Sequence, residues 1–562
     1  MLGAITNRIK DRFFNEKTQT ITAGAIMLGA TFLVSRLLGL IRSRLLVSAF
    51  GIGGTLDAYF AAFQVPDFAY NLLISATLGV SFIPVFCEYL AKDKDEAWRI
   101  ANSVLNLVMI IMGALCFVFF AFAPQFVHLV SPGFSGRTYD TTVVLTRILL
   151  LSPWLFAVSA IFSSILNAFR SFLLVSLAPL LYNIAIILGI LFLAPIWGIF
   201  GVAASVIAGA CLHILIQIPG AKKFGFSWRP RVDLASKGVR DILKLIVPRI
   251  LALDLSQVSG LLGTIIASAL AAGSVALFNL MYSLESVPVA IFAVSFVVSS
   301  FPNLSTAAAR GDIKEFKNDF SYTARQILFF LIPATVLTVV FRVQIVNLLI
   351  GIRSLSQADV NLGAATLAIF ALSFAFQGIA PLLARGFFAF KNTVVPLAIS
   401  LLSLGVDVAA TYWFLGLLRD GSRFSQWIVS AMQLGNVPDV RALALSLGFS
   451  VTCAFNMVAL AVLLRKNVGR FDGTRIAASL IKDLAAGGAG GLAGWVTLGW
   501  AGQFVNTQRF LGVAAQLGVA FLAAAAAMAA VFVALKSEEM NALLASIGKR
   551  FNAPVPEEAD IP

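Results

Sequence analysis

Three arginines, Arg36, Arg42 and Arg44, stand in the run SRLLGLIRSRLL (35–46), inside an apolar stretch from Ile21 to Phe50. An arginine at the centre of a membrane helix costs roughly 2.5–3.5 kcal/mol on insertion scales. Its planar guanidinium offers paired donors that match phosphate oxygens. The chemistry these residue types suit is therefore the capture of a phosphate or pyrophosphate head group, which cannot cross hydrocarbon with its charge unpaired. At the helical rise, Arg36 lies about 22 Å from either end of the stretch, too deep to snorkel. Arg42 and Arg44 are nearer one end and could instead anchor the interface. At 100° per residue, Arg42 stands about 240° and Arg44 about 80° round the helix from Arg36. Either the helix bends near Gly39 or one arginine faces elsewhere, and Arg44 is the candidate for that.

Further charges fall inside apolar segments: Asp57, Arg249, Asp254, Glu285, Arg385 and Asp407. Together with Arg36, Arg42 and Arg44, the residues Asp57, Arg249, Glu285 and Arg385 are the candidate substrate-binding set. Glu285 reads either as the partner of an arginine or as a proton- or cation-coupling carboxylate. Asp254 and Asp407 are candidates to share a cation, with a local polar contact between helices as the alternative for each. His128 and His213 are far apart, and Cys87, Cys116, Cys211 and Cys453 form no CxxC. No metal, P-loop or nucleophile motif is found, so neither a catalytic residue nor a resident metal is expected.

The elements that must position these charges are membrane helices. The 562 residues are 59% hydrophobic and only 12% charged, against about 25% charged for soluble domains, and the mean hydropathy is +0.92. Apolar segments of membrane length recur throughout, the pattern of an all-α polytopic membrane protein. Fourteen spans are expected, over 21–49, 56–90, 100–124, 141–168, 172–194, 198–219, 241–270, 274–302, 322–341, 362–390, 393–417, 442–464, 475–501 and 510–535. With both termini inside, all fifteen lysines lie on the cytoplasmic side, as the positive-inside rule demands. The net charge of +14 is explained by that rule, and no nucleic-acid partner is expected.

An internal repeat organises the spans. Ser35-Arg36 and Ala168-Phe169-Arg170 have counterparts 221 residues on, in Ser256-Gln257 and Ala389-Phe390-Lys391, and Val65-Pro66 has one 222 on, in Val287-Pro288. Residues 21–219 and 241–464 thus read as two parallel six-helix lobes, joined by a basic cytoplasmic linker at 220–240. Residues 1–20 read as an amphipathic N-terminus, 475–535 as two extra spans rich in small residues, and 536–562 as a cytoplasmic tail. In the extra spans, AAGGAGGLAGW (485–495) suits either tight helix packing or a groove for a lipid tail. Two parallel lobes suggest a transporter working by alternating access, with its site near the midplane. The first lobe would supply the basic side and the second the acidic one.

The runs SRLLGLIRSRLLVSAFGIGGTLDAYFAAFQVPD (35–67) and FIPVFCEYL (82–90) resemble the opening of the MurJ (MviN) lipid II flippases. So do SQVSGLLGTIIASALAAGSVALFNLMYSLESVP (256–288), FPNLS (301–305) and LLARGFFAFKNTVVP (382–396). The family belongs to the multidrug/oligosaccharidyl-lipid/polysaccharide exporter superfamily, whose other members usually have twelve spans. The resemblance implies transport of lipid II, the undecaprenyl-pyrophosphate-linked peptidoglycan precursor, from inner to outer leaflet of the bacterial cytoplasmic membrane. It implies a multi-pass transporter and no enzyme. Arg36 and Arg42 match cavity arginines implicated in handling the pyrophosphate, Asp57 an acidic position opening span 2, and Asp407 a polar position of a sodium site in some members. Membrane lipids and cell-wall synthesis machinery are the implied partners, with sodium or proton coupling and the membrane potential as drivers. The chain departs from the family at Tyr70, Asn71 and Ser283, where basic residues are usual, and at Ser43 and Gly263. An exporter of another polyprenyl-linked or amphiphilic substrate, or a non-transporting scaffold, is the alternative.

Overall fold

The computed structural model describes residues 21–72, 78–251, 255–350, 356–419, 421–506 and 509–552. The amphipathic N-terminus expected at 1–20, Asp254 and the last ten residues lie outside these. Every described element is helical. Ten helices among the described residues are long and apolar enough to cross a membrane. Large apolar side chains point outward from them, Phe117 at 71% and Phe192 at 66% exposure among them. Apolar surface on that scale needs hydrocarbon rather than water around it. The protein is polytopic.

The chain divides into two compact units, 1–279 and 280–562. The division falls inside a helix, whereas the repeat sets its lobes apart at 220–240. The first unit begins with α1 (Ile21–Phe50), α2 (Gly54–Tyr70), α3 (Leu78–Lys92) and α4 (Lys94–Ala121). It continues through α5 (Ala123–Val130), α6 (Gly136–Leu149), α7 (Leu151–Ala168), α8 (Phe172–Leu188), α9 (Ala194–Trp197) and α10 (Ile199–Leu215). Then come α11 (Ile218–Lys223), α12 (Lys237–Leu251), α13 (Leu255–Ser268) and the first turn of α14 (Ser274–Pro288). Within the span expected over 56–90, the described helices are α2 and α3. α1 runs unbroken through Gly39. It packs along α8, which also packs on α10. Beneath α3, α4 and α7 lies an aromatic core of Phe82, Phe86, Trp98, Phe162 and Phe226.

The second unit holds the rest of α14, then α15 (Val294–Arg310), α16 (Ile313–Ile350), α17 (Gln357–Ala371), α18 (Phe374–Ala389) and α19 (Val394–Leu417). It ends with α20 (Arg423–Met432), α21 (Leu443–Val468), α22 (Gly473–Ala501), α23 (Phe510–Ala534) and α24 (Glu538–Asn552). Two helix starts in the second unit show side-chain caps of different kinds. Ser356 and Asp359 form a reciprocal capping box on α17, and Asp472 accepts the amide of Arg475 on α22. Each satisfies donors that the first turn leaves open. Four glycines of α22, Gly487, Gly490, Gly491 and Gly494, serve close packing. A Cβ on Gly491 would stand 2.7 Å from Val336, and one on Gly490 2.4 Å from Met528.

The repeat leaves a local mark in both units. α7 closes with the amide of Ser171 on Leu166 O, and α18 with the amide of Asn392 on Phe387 O, 221 residues on. Between them, Arg170 and Lys391 both take the left-handed conformation, at φ 57° and 60°. This is the Schellman closure, made here without the usual glycine.

Candidate functional site

In the first unit, Arg42 is the arginine that the fold ties down. It is half-buried, and its Nη1 donates to Asn183 Oδ1 of α8 at 3.2 Å. The amide of Asn183 in turn donates to Ser35 Oγ at 3.3 Å and to Pro179 O at 3.0 Å. Pro179 lies inside α8 and cannot donate to the helix ladder. The guanidinium is thus oriented from a neighbouring helix. Its Nε is buried and has no acceptor among the described residues, a donor of the kind an anion would satisfy. Arg36 is exposed and Arg44 half-buried, and both have contacts of their own.

Beside this group lies a cavity of about 540 Å³ within the same unit. Three prolines from three helices, Pro66, Pro153 and Pro179, line it, with the side chains of Asp67, Tyr70, Asn167, Tyr182 and His213. Arg42 is close enough to Asp67, Tyr59 and Tyr182 for its charge to act on each. The wall behind His213 is a polar network. Its Nδ1 is 2.6 Å from Ser159 Oγ, Gln217 Nε2 donates to that same oxygen at 2.8 Å, and Ser163 Oγ donates to Gln217 Oε1 at 2.8 Å. The cavity therefore offers one carboxylate, several hydroxyls and amides, and an oriented guanidinium near its edge. Such an arrangement suits a polar, partly anionic group entering from a lipid-soluble molecule.

Asp57 has a different environment. It is buried, and its carboxylate accepts the amides of Gly273 at 2.5 Å and Ala276 at 2.7 Å. It thereby closes the start of α14 on the start of α2. Gly273 has φ +95°, and a Cβ there would meet Ile52 at 2.6 Å, so both the turn and the close approach require glycine. Gly133 is pressed as closely against Ser268 and Ala269, and its amide donates to Ser268 Oγ at 3.2 Å.

In the second unit, Glu285 of α14 is 2% exposed, and Gln377 Nε2 of α18 donates to its Oε2 at 2.8 Å. The same nitrogen donates to Ser373 Oγ at 2.7 Å. Asp407 of α19 is buried and accepts from Thr452 Oγ1 at 3.4 Å. Arg385 stands with its guanidinium 4.7 Å from the ring centre of Phe301, on α18. Arg249 lies in α12, but its side chain is outside the described residues, as is all of Asp254. Among the described residues no group of three or more His, Cys, Asp or Glu could hold a metal.

Sequence reasoning did not single out Asn183, Gln377, Asp67 or the network around His213. Each carried a visible signal, a polar residue within an otherwise apolar helix. Their partners lie as far as 148 residues away.

The family model described as lipid II flippase MurJ matches residues 46–514. The chain belongs to the MurJ family. The lipid II flippase MurJ of Burkholderia cenocepacia is 27% identical over 395 residues, covering 69% of this chain and 77% of that one. The probable lipid II flippase MurJ of Bdellovibrio bacteriovorus is 28% identical over 402 residues, covering 70% and 76%. A solved structure of a lipid II flippase MurJ in an inward closed conformation superimposes with a TM-score of 0.69 at 22% identity, over 91% of this chain and 99% of that one. An inward-facing transporter of the multidrug resistance MATE family reaches 0.56 at 15% identity, over 81% and 98%. At these identities the two structures speak for the fold alone. The MurJ match opens at Leu46, directly after Arg36, Arg42 and Arg44.

Proposed function

We propose that this protein is a lipid II flippase of the bacterial cytoplasmic membrane, carrying the undecaprenyl-pyrophosphate-linked precursor from the inner to the outer leaflet. The observation that carries this reading is the MurJ family match over most of the chain. The oriented guanidinium of Arg42 beside a polar cavity supports it from the geometry. In this reading Arg42, with Arg36, takes the pyrophosphate, and the polar wall around His213 receives uncharged parts of the head group. Fourteen spans with both termini inside, moving by alternating access, fit the lysine distribution. Asp57 then closes one end of the transport path by capping α14. Glu285 and Asp407 are the coupling carboxylates, taking up a proton or a sodium ion. With the interior negative, each anionic charge carried outward gains about 2.3 kcal/mol per 100 mV. The protein works as a transporter rather than an enzyme, and cell-wall synthesis machinery would consume what it delivers.

The test is to deplete the resident flippase of a bacterial host, express this protein and measure lipid II in the outer leaflet. Rescue that disappears in Arg42→Ala is expected. Absence of rescue despite normal membrane expression, repeated in a reconstituted lipid II assay, would overturn the substrate.

A second reading, another polyprenyl-linked substrate, is favoured by one feature. Tyr70, at a position where relatives are usually basic, lines the cavity and stacks edge-on with Phe156 at 5.9 Å. An aromatic pair there suits a sugar face better than a second phosphate.

A further inference from the structure

The segment after α11, SWRPRVDL (227–234), is exposed and forms no helix, yet α4 holds it in place. Two asparagines of α4, each less than a tenth exposed, perform the holding. Asn102 donates to Ser227 O at 3.0 Å and accepts the amide of Arg229 at 2.8 Å. Asn106 donates to Arg229 O at 2.7 Å and Arg231 O at 2.9 Å, and accepts from the indole of Trp228 at 3.1 Å. Ser103 accepts the amide of Asp233 at 3.2 Å. Buried amides spent on the backbone of a surface segment are costly to leave unpaired, so the segment is fixed in one shape.

That shape presents two arginines. Arg229 and Arg231 are exposed, and neither makes an ion pair among the described residues. With Arg99 they line a cavity of about 470 Å³, closed by Trp98, Asn102 and Ser227 and carrying one carboxylate, Asp95. Arg99 is shared with Glu96 at 2.9 Å. The indole N–H of Trp98 is buried without an acceptor among the described residues. Between and beyond the arginines, Trp228, Val232 and Leu234 are 57%, 38% and 54% exposed. Basic donors interleaved with exposed aromatic and aliphatic side chains match a membrane interface, where apolar groups enter the leaflet and guanidinium groups meet phosphates.

We propose that this held segment is a binding site for the phosphate of an anionic phospholipid head group, with Arg229 and Arg231 as the donors and Asn102 and Asn106 as the residues that position them. The site lies outside the cavity at Arg42, and it does not depend on what the protein transports.

The experiment uses the full-length protein in nanodiscs of phosphatidylcholine with and without phosphatidylglycerol. Retained phosphatidylglycerol is counted by native mass spectrometry after gentle detergent release. Replacing both arginines, Arg229→Gln with Arg231→Gln, is expected to weaken retention on the order of thirtyfold, the scale of two basic residues at an anionic surface. Asp95→Asn should strengthen it. Asn102→Ala with Asn106→Ala keeps both arginine residues but removes what positions them, and should lose most of the same binding. Equal retention by the wild type and the arginine variant overturns the site. Wild-type retention by the asparagine variant overturns the positioned pocket. Full displacement by millimolar inorganic phosphate would mean a free anion is the ligand, and would overturn the lipid assignment.

Discussion

The carboxylate of Asp57 and the amide of Ala276 meet at 2.7 Å, across 219 residues of sequence. The second oxygen takes the amide of Gly273, so one buried side chain satisfies two donors at the start of α14. Loss of an acceptor from buried donors costs about 1–3 kcal/mol. Asp57→Ala should therefore lower the thermal midpoint in detergent and reduce translocation, whereas Asp57→Asn, keeping one oxygen, should lose less of both. Identical melting of Asp57→Ala and wild type would show that the contact holds nothing together.

Arg42 and Asn183 give a graded series. Arg42→Ala removes the guanidinium, Arg42→Lys keeps the charge without the fork, and Asn183→Ala keeps the arginine but frees its orientation. A hydrogen bond to a charged group is worth about 1.5–3 kcal/mol, so translocation should fall by about ten- to a hundredfold in Arg42→Ala. Arg42→Lys should fall less, and Asn183→Ala least. Outer-leaflet lipid II measures all three, and wild-type flux in Arg42→Ala would remove Arg42 from substrate handling.

The apolar runs made the helices legible, because twenty residues without charge leave a chain few other folds. They also made the odd residues visible, Arg42 and Glu285 above all. What they could not show is who meets whom. Asn183 answers Arg42, and Gln377 answers Glu285 across 92 residues. One polar residue in an apolar helix carries no address for its partner. Asp57 was conspicuous as a charge, but its use as a cap for a distant helix depends on two turns being brought together. Arg36 is the reverse case. Depth along the sequence set it above Arg42; in the structure Arg36 is exposed with contacts of its own, while Asn183 orients Arg42.

The glycines of α22 separate by what faces them. A Cβ at Gly491 or Gly494 would press on Val336 or Phe341 at 2.7 Å, while Gly488 has nothing within 4 Å. Overpacking costs roughly 1–3 kcal/mol, and alanine is about 1 kcal/mol better than glycine within a helix. Gly491→Val and Gly494→Val should lower the thermal midpoint, while Gly488→Ala should hold or raise it. Equal destabilisation by all three would mean that flexibility, not close packing, is what these glycines provide.

The last helix carries a pH dependence. Arg325 of α16 donates to Glu538 at 2.8 Å and to Glu539 at 2.7 Å, holding the start of α24 against its neighbours. That hydrogen bond, and then the charge of Arg325, hold the Glu538 carboxyl below its ordinary value of 4.5. A depressed carboxyl contributes its stabilisation above the unfolded value, and loses it as pH falls through the lower folded one. Docking of α24 should thus be constant from neutral pH down to the ordinary glutamate range and loosen below it. The Glu538 side chain is 72% exposed, so its ionised form adds little; Glu538→Gln should lower docking slightly at neutral pH and remove an acid limb of that same small size. Quenching between a fluorophore on α24 and a tryptophan introduced on α22, followed from about pH 6 to about pH 3, measures both. An acid limb of the same size in Glu538→Gln would assign it to another carboxyl.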